Sequence, residues 1–216
     1  MRSLVRGWAA ATVTVALVGV LIQLAVTVAG TSTVTTETFP LPVRLWHFVG
    51  YFTIQSNLVV IATVLPLVRD PGHDGPIWRV LRLASLVMIT VTGLVHWFLL
   101  RPLSTLTGGE AVGDVLVHVA APALTVLGWL AFGPRPRITA PTVARSMVWP
   151  VAWLVCTLVA GGLTGWCPYP FLDVSARGAA PVALTCGAIA VLLAGLSTAC
   201  WRLDRVLSVP RATIAP

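Results

Sequence analysis

Three kinds of side chain in this sequence could do chemistry together. Thr53, Ser56 and Asn57 lie three and four residues apart inside an otherwise apolar run from Trp46 to Val68, a spacing that puts them on one face of a helix and turns Gln55 elsewhere. Asp114 and His118 are four apart in a second apolar run, and His96 stands near the end of a third. A Thr hydroxyl becomes a usable nucleophile only beside a base. Imidazole is the commonest such base, and an acid behind it holds the tautomer and stabilises the charged ring. Thr53, His118 and Asp114 suit those roles, with Asn57 or Ser56 to donate to a developing oxyanion.

The same residues have quieter readings. Thr53 and Ser56 could bond back to carbonyls one turn earlier, and Asn57 could tie two helices together. His96 and His118 could hydrogen-bond across the bundle, ligate a haem as an axial pair, or, for His96, join Trp97 in an interfacial belt. Asp114 near a helix start is favoured there by the helix dipole.

The elements that position these groups follow from composition. The 216-residue chain is 57% hydrophobic and 10% charged, which fits a polytopic membrane protein. Its apolar runs have the ~20-residue length that a helix needs to cross a bilayer. The expected fold is all-α, a single membrane domain over residues 1–216, with six transmembrane helices at about 8–29, 45–68, 80–100, 111–132, 147–165 and 180–201. The first is longer than the ~7–15 residues of a cleaved signal core, which favours a retained helix. Pro40 and Pro42 argue against any helix before Val43, and Pro71 to Pro76 read as turn. Gly161/Gly165 and the small pairs Ala190/Ala194 and Gly195/Ala199 suggest close packing within the bundle.

All 14 basic residues are Arg, in short clusters between apolar runs. That pattern is topological and gives no reason to expect a nucleic-acid partner. Counted on alternate sides of six spans, eleven Arg face one side, and only Arg44, Arg101 and Arg177 the other. The count predicts both termini in the cytoplasm and a multi-pass protein of the cell membrane. Four Cys without CxxC or Cys/His spacing suggest neither zinc site nor disulfide framework, and no cofactor is called for. At ~1.5 Å per residue, Thr53 and His118 then lie roughly 10–12 Å below the outer surface, with His96 close by.

Tyr51-Phe52-Thr53 resembles the Y-[LF]-T segment of the androgen-induced, atypical integral-membrane threonine hydrolases of animals and their bacterial relatives. His118-Val-Ala-Ala-Pro122, with a polar residue four positions earlier, is similar to that family's H-x-x-x-P segment, and Tyr169-Pro170-Phe171 to its aromatic-proline loop. The resemblance spans most of the chain in helix number and motif order. It implies a Thr nucleophile at Thr53, a catalytic His at His118, and hydrolysis of lipid esters such as branched fatty acid esters of hydroxy fatty acids. Animal members tend to carry an amide where Asp114 stands, so the orienting acid rests on spacing alone. The expected function is membrane-embedded hydrolysis of fatty acyl esters, with membrane lipid and a lipid-like substrate as partners. Two alternatives stand beside it: a non-catalytic bundle that binds or moves a small molecule, and a bis-histidine haem protein.

Overall fold

The structure is a computed structural model that describes residues 1–32, 39–103 and 105–208. Thr33, Thr35, Thr36 and Thr38 of the Thr-rich loop, and Arg211, lie outside them. Every regular element among the described residues is helical, and six helical stretches are long and apolar enough to cross a membrane. Helix α1 is Arg2–Ala29, closed by left-handed Gly30; α2 is Leu41–Gly50 and α3 is Phe52–Arg69. Helix α4, Pro76–Val95, widens into a π-helical turn at His96–Leu100. Helix α5, Gly108–Val115, widens likewise at Leu116–Ala120 before α6, Ala121–Phe132. Helices α7 (Ala140–Ser146) and α8 (Val148–Thr164) make the fifth span, α9 (Val174–Arg177) is a single turn, and α10 (Ala179–Val206) is the sixth span.

Long-range bonds gather alternate ends of these spans on two faces. On one, an Arg6 guanidinium donates to the Arg69 carbonyl (3.0 Å), Arg137 lies 3.3 Å from Asp74, and the buried Asp204 carboxylate accepts the backbone N–H groups of Arg137 and Ile138 at 2.7 and 2.9 Å. On the other, Arg44 donates to the Thr27 carbonyl (2.8 Å). Helices α3 and α4 are the centre, with 56% of each span buried, whereas the spans built on α7–α8 and α10 are only 11% buried. The core thus forms from α1, α3, α4 and α6, and the last two spans lean against it.

Several boundaries differ from expectation for local reasons. Proline does not delay α2, which starts at Leu41 with Pro42 in its first turn, and Pro76 and Pro141 likewise sit in the first turns of α4 and α7. The first N–H groups of a helix have no intrahelical partner, so a proline there loses no bond. Of the small-residue pairs, only Gly161 meets another part of the chain closely, a Cβ there standing 3.5 Å from the Trp166 carbonyl. Gly165 is the left-handed cap of α8, a Cβ on Gly165 or Gly195 would meet nothing within 4 Å, and Ala190, Ala194 and Ala199 are exposed.

Candidate active site

The expected second helix, 45–68, is two helices, and the break makes the site. Tyr51 is extended (φ −67°, ψ 127°) between α2 and α3. The Gly50 carbonyl accepts the Trp153 indole N–H at 2.8 Å, while the N–H groups of Ile54 and Gln55 turn to the Tyr51 carbonyl at 3.1 and 3.2 Å. A Cβ at Gly50 would stand 2.9 Å from the Trp166 ring. Two indoles from the fifth span and its loop therefore stop the helix at a glycine. Thr53 becomes the second residue of α3, not one eight residues inside a longer helix. Its backbone N–H is one of the free donors at a helix start, where the dipole favours negative charge.

His118 arrives on the second wide turn. The Ala121 N–H donates to the Leu116 carbonyl, a five-residue step, and Pro122 follows with no N–H to offer the Val117 carbonyl. Asn57 supplies that donor from α3: its Nδ2 lies 3.2 Å from the Val117 carbonyl and 2.9 Å from that of Thr53. His96 opens the other wide turn, closed by an Arg101 N–H to the His96 carbonyl and followed by Pro102. Both turns thus end two residues before a proline. Such turns are rare and concentrate at functional sites.

These devices bring four side chains into one chain of bonds. Thr53 Oγ1 is 3.0 Å from His118 Nε2, and His118 Nδ1 is 2.8 Å from Asp114 Oδ1. Asp114 Oδ2 is 3.2 Å from His96 Nε2, and the two imidazoles stack with centroids 4.0 Å apart and planes 11° from parallel. A carboxylate only accepts, so His118 Nδ1 and His96 Nε2 are the protonated nitrogens and the His118 Nε2 lone pair faces the Thr53 hydroxyl. His96 is 4% exposed and belongs to this group rather than to an interfacial belt with Trp97.

Tyr169 is the member that spacing missed. The Thr53 N–H donates to its phenol oxygen at 3.4 Å, and the two hydroxyl oxygens are 3.5 Å apart. Burial pushes this phenol up to about 12, against the pull of its bond with Thr53, so it keeps its proton through the neutral range. Only the likeness of its loop to a family motif singled Tyr169 out; nothing in its spacing tied it to Thr53. Ser56 and Asn57 are not the oxyanion donors that their face suggested. Ser56 donates to the Phe52 carbonyl (2.7 Å) and accepts from Thr92 (3.0 Å), and Asn57 is committed to the two carbonyls above.

Thr53 and Tyr169 also line an apolar cleft among α4, α8 and α10, walled by residues such as Val91, Trp153, Leu154 and Ile189, with about 680 Å³ of empty space counted out to its mouth. His118 lies behind Thr53, outside that lining. The stacked rings exclude the axial pair of a haem, whose ligands must meet the iron from opposite sides of the macrocycle. His96, Asp114 and His118 do offer ligand atoms within 4.8 Å of one another, an imidazole and carboxylate set that suits zinc, which Cys/His spacing alone did not suggest. Compared with family models, curated proteins and solved structures, the chain matches none.

Proposed function

We propose that this chain is a membrane-embedded hydrolase of fatty acyl esters, of the kind implied by its resemblance to the atypical threonine hydrolases. The observation that carries the reading is the continuous arrangement Asp114–His118–Thr53, with bonds of 2.8 and 3.0 Å, opening onto an apolar cleft. An acyl chain enters sideways between α8 and α10 and lays its ester carbonyl beside Thr53. Oγ1 attacks the carbonyl carbon as its proton passes to His118 Nε2, and Asp114 stabilises the imidazolium. The Thr53 N–H and the Tyr169 hydroxyl, at the positive end of α3, receive the developing oxyanion. The imidazolium returns the proton to the departing alcohol, leaving an acyl-threonine. Water, activated by the same ring, then releases the fatty acid and restores Thr53. By the arginine count both termini are cytoplasmic, the membrane is the cell membrane, and the site lies in its outer half.

An alkyl fluorophosphonate tests this. It is expected to phosphonylate Thr53, mapped by peptide mass, and Thr53→Ala is expected to abolish both labelling and ester hydrolysis. Labelling that survives Thr53→Ala overturns the assignment.

A second reading rests on the metal-competent set of His96, Asp114 and His118. In it these residues hold a divalent cation, which would polarise the ester carbonyl and lower the pKa of a bound water. Chelation separates the two: hydrolysis unchanged in excess EDTA supports the threonine route, and hydrolysis lost to EDTA and restored by zinc supports the metal.

A further inference from the structure

Arg82 is a charge that the proposed hydrolysis does not use. It lies six residues past Pro76, ~9 Å along α4, toward the face that holds Asp74, Arg137 and Asp204. It is 6% exposed, and its Nε and Nη1 are buried with no hydrogen-bond acceptor among the described residues. A guanidinium taken out of water is normally held by a carboxylate, a phosphate or a row of carbonyls, because an unpaired buried ion forfeits its hydration for nothing.

Two small cavities meet at this side chain. One is a shallow recess, about 260 Å³ when the open solvent at its mouth is counted, bounded by Arg79, Arg82 and Arg137 together with Trp78, Trp129 and Ile138. The other, about 290 Å³ again counted out into open solvent, is a mostly apolar groove between α1, α3 and α6 that Arg82 also lines. The acid near the three guanidiniums is Asp74, which accepts from Arg79 Nε at 2.7 Å and lies 3.3 Å from Arg137 Nε. The Arg79 hydrogen bond holds the Asp74 acid down at about 2, so it is charged in the neutral range and offsets one of the three. Asp204 spends Oδ2 on the backbone N–H groups of Arg137 and Ile138; its Oδ1 is buried with no donor among the described residues, but the residue does not line the cavity.

We propose that Arg82, with Arg79 and Arg137, forms an anion site for a phosphate group on the face that holds Asp74 and Asp204. Guanidinium is planar and meets phosphate oxygens through paired N–H bonds, which a point charge does not match. The phosphate is either a free anion or the headgroup of an acidic phospholipid. Basic pockets between membrane helices take such headgroups, and the groove beyond Arg82 would then receive part of an acyl chain.

Thermal unfolding of the full chain in neutral detergent distinguishes the sources. One arm adds inorganic phosphate, a second adds micelles carrying phosphatidic acid, and a third adds phosphatidylcholine as the neutral control. A ligand at about a hundred times its Kd is expected to raise the midpoint by roughly 5–10 °C. A rise with inorganic phosphate assigns the site to the free anion, and a rise with phosphatidic acid alone assigns it to a lipid headgroup. Arg82→Gln is expected to lose the rise, and Arg145→Gln, outside both cavities, to keep it. No rise in the native chain, an equal rise with phosphatidylcholine, or a rise that persists in Arg82→Gln overturns the proposal. If Arg82→Gln does not fold, Asp74→Asn serves instead: removing the competing carboxylate from an exposed loop should tighten binding several-fold, and unchanged binding also overturns the site.

Discussion

The two faces of this molecule treat buried charge in opposite ways. Around Thr53 a single carboxylate is shared by two imidazoles, so that both oxygens of Asp114 and both nitrogens of His118 are taken. Around Arg82, at the other end of α4, two guanidinium nitrogens are buried with no acceptor among the described residues. In the first region the catalytic acid and base are fully partnered and have a fixed geometry, as a catalytic group requires. The second has a charge in place and leaves its complement to be supplied from outside, as a binding site does.

The comparison can be broken most sharply at Thr53. Thr53→Ala is expected to cut ester hydrolysis by about 10⁴-fold or more, since nucleophile and base act as a unit; hydrolysis that persists would mean that the first region is merely structural. Asp114→Asn should cost about 10²–10⁴-fold, because an amide can present an N–H to His118 and turn its lone pair away from Thr53. Tyr169→Phe removes one oxyanion donor and should lower kcat by about 10²-fold. With the phenol near 12 rather than about 10, the rate should show no alkaline fall from this group up to about pH 10.5, because the donor loses its proton only as pH rises through its raised pKa. Asn57→Leu should destabilise the fold by about 1–3 kcal/mol, read as a lower midpoint, because the buried Val117 carbonyl loses its donor and that of Thr53 loses its second one. On the other face, Arg82→Gln without phosphate should change the midpoint least or raise it, since it removes an unpaired ion rather than half of a pair.

Much of the architecture can be read from residue order. The apolar runs delimit six helices, and the 3.6-residue period puts Asp114 and His118 on one face and sends Gln55 toward α8, where it accepts the Trp149 indole N–H at 2.9 Å. What spacing does not carry is tertiary. Gly50 looks like an ordinary small residue until Trp153 takes its carbonyl and Trp166 occupies the space beside it. Ser56 and Asn57 share the face of Thr53, yet their hydrogen bonds depend on Thr92 and on the carbonyl stranded by Pro122. Tyr169 lies 116 residues from Thr53, too far for any periodic signal. Arg82 reads as one more basic residue at a helix start, because its unpaired state depends on which side chains fail to reach it.

The wide turns before Pro102 and Pro122 have a genetic consequence. Each holds one residue beyond the regular helical count, and one residue is worth about 100° of rotation. Removing a single residue from 96–100 or 116–120 would hardly alter the hydropathy of the span and would restore the regular helical count, but it would close the wide turn and rotate the residues within it, His96 or His118 among them, away from Asp114. A library of one-residue deletions is therefore expected to retain activity in the loops and lose it abruptly in these two stretches, even where substitutions of neighbouring lipid-facing residues pass unnoticed.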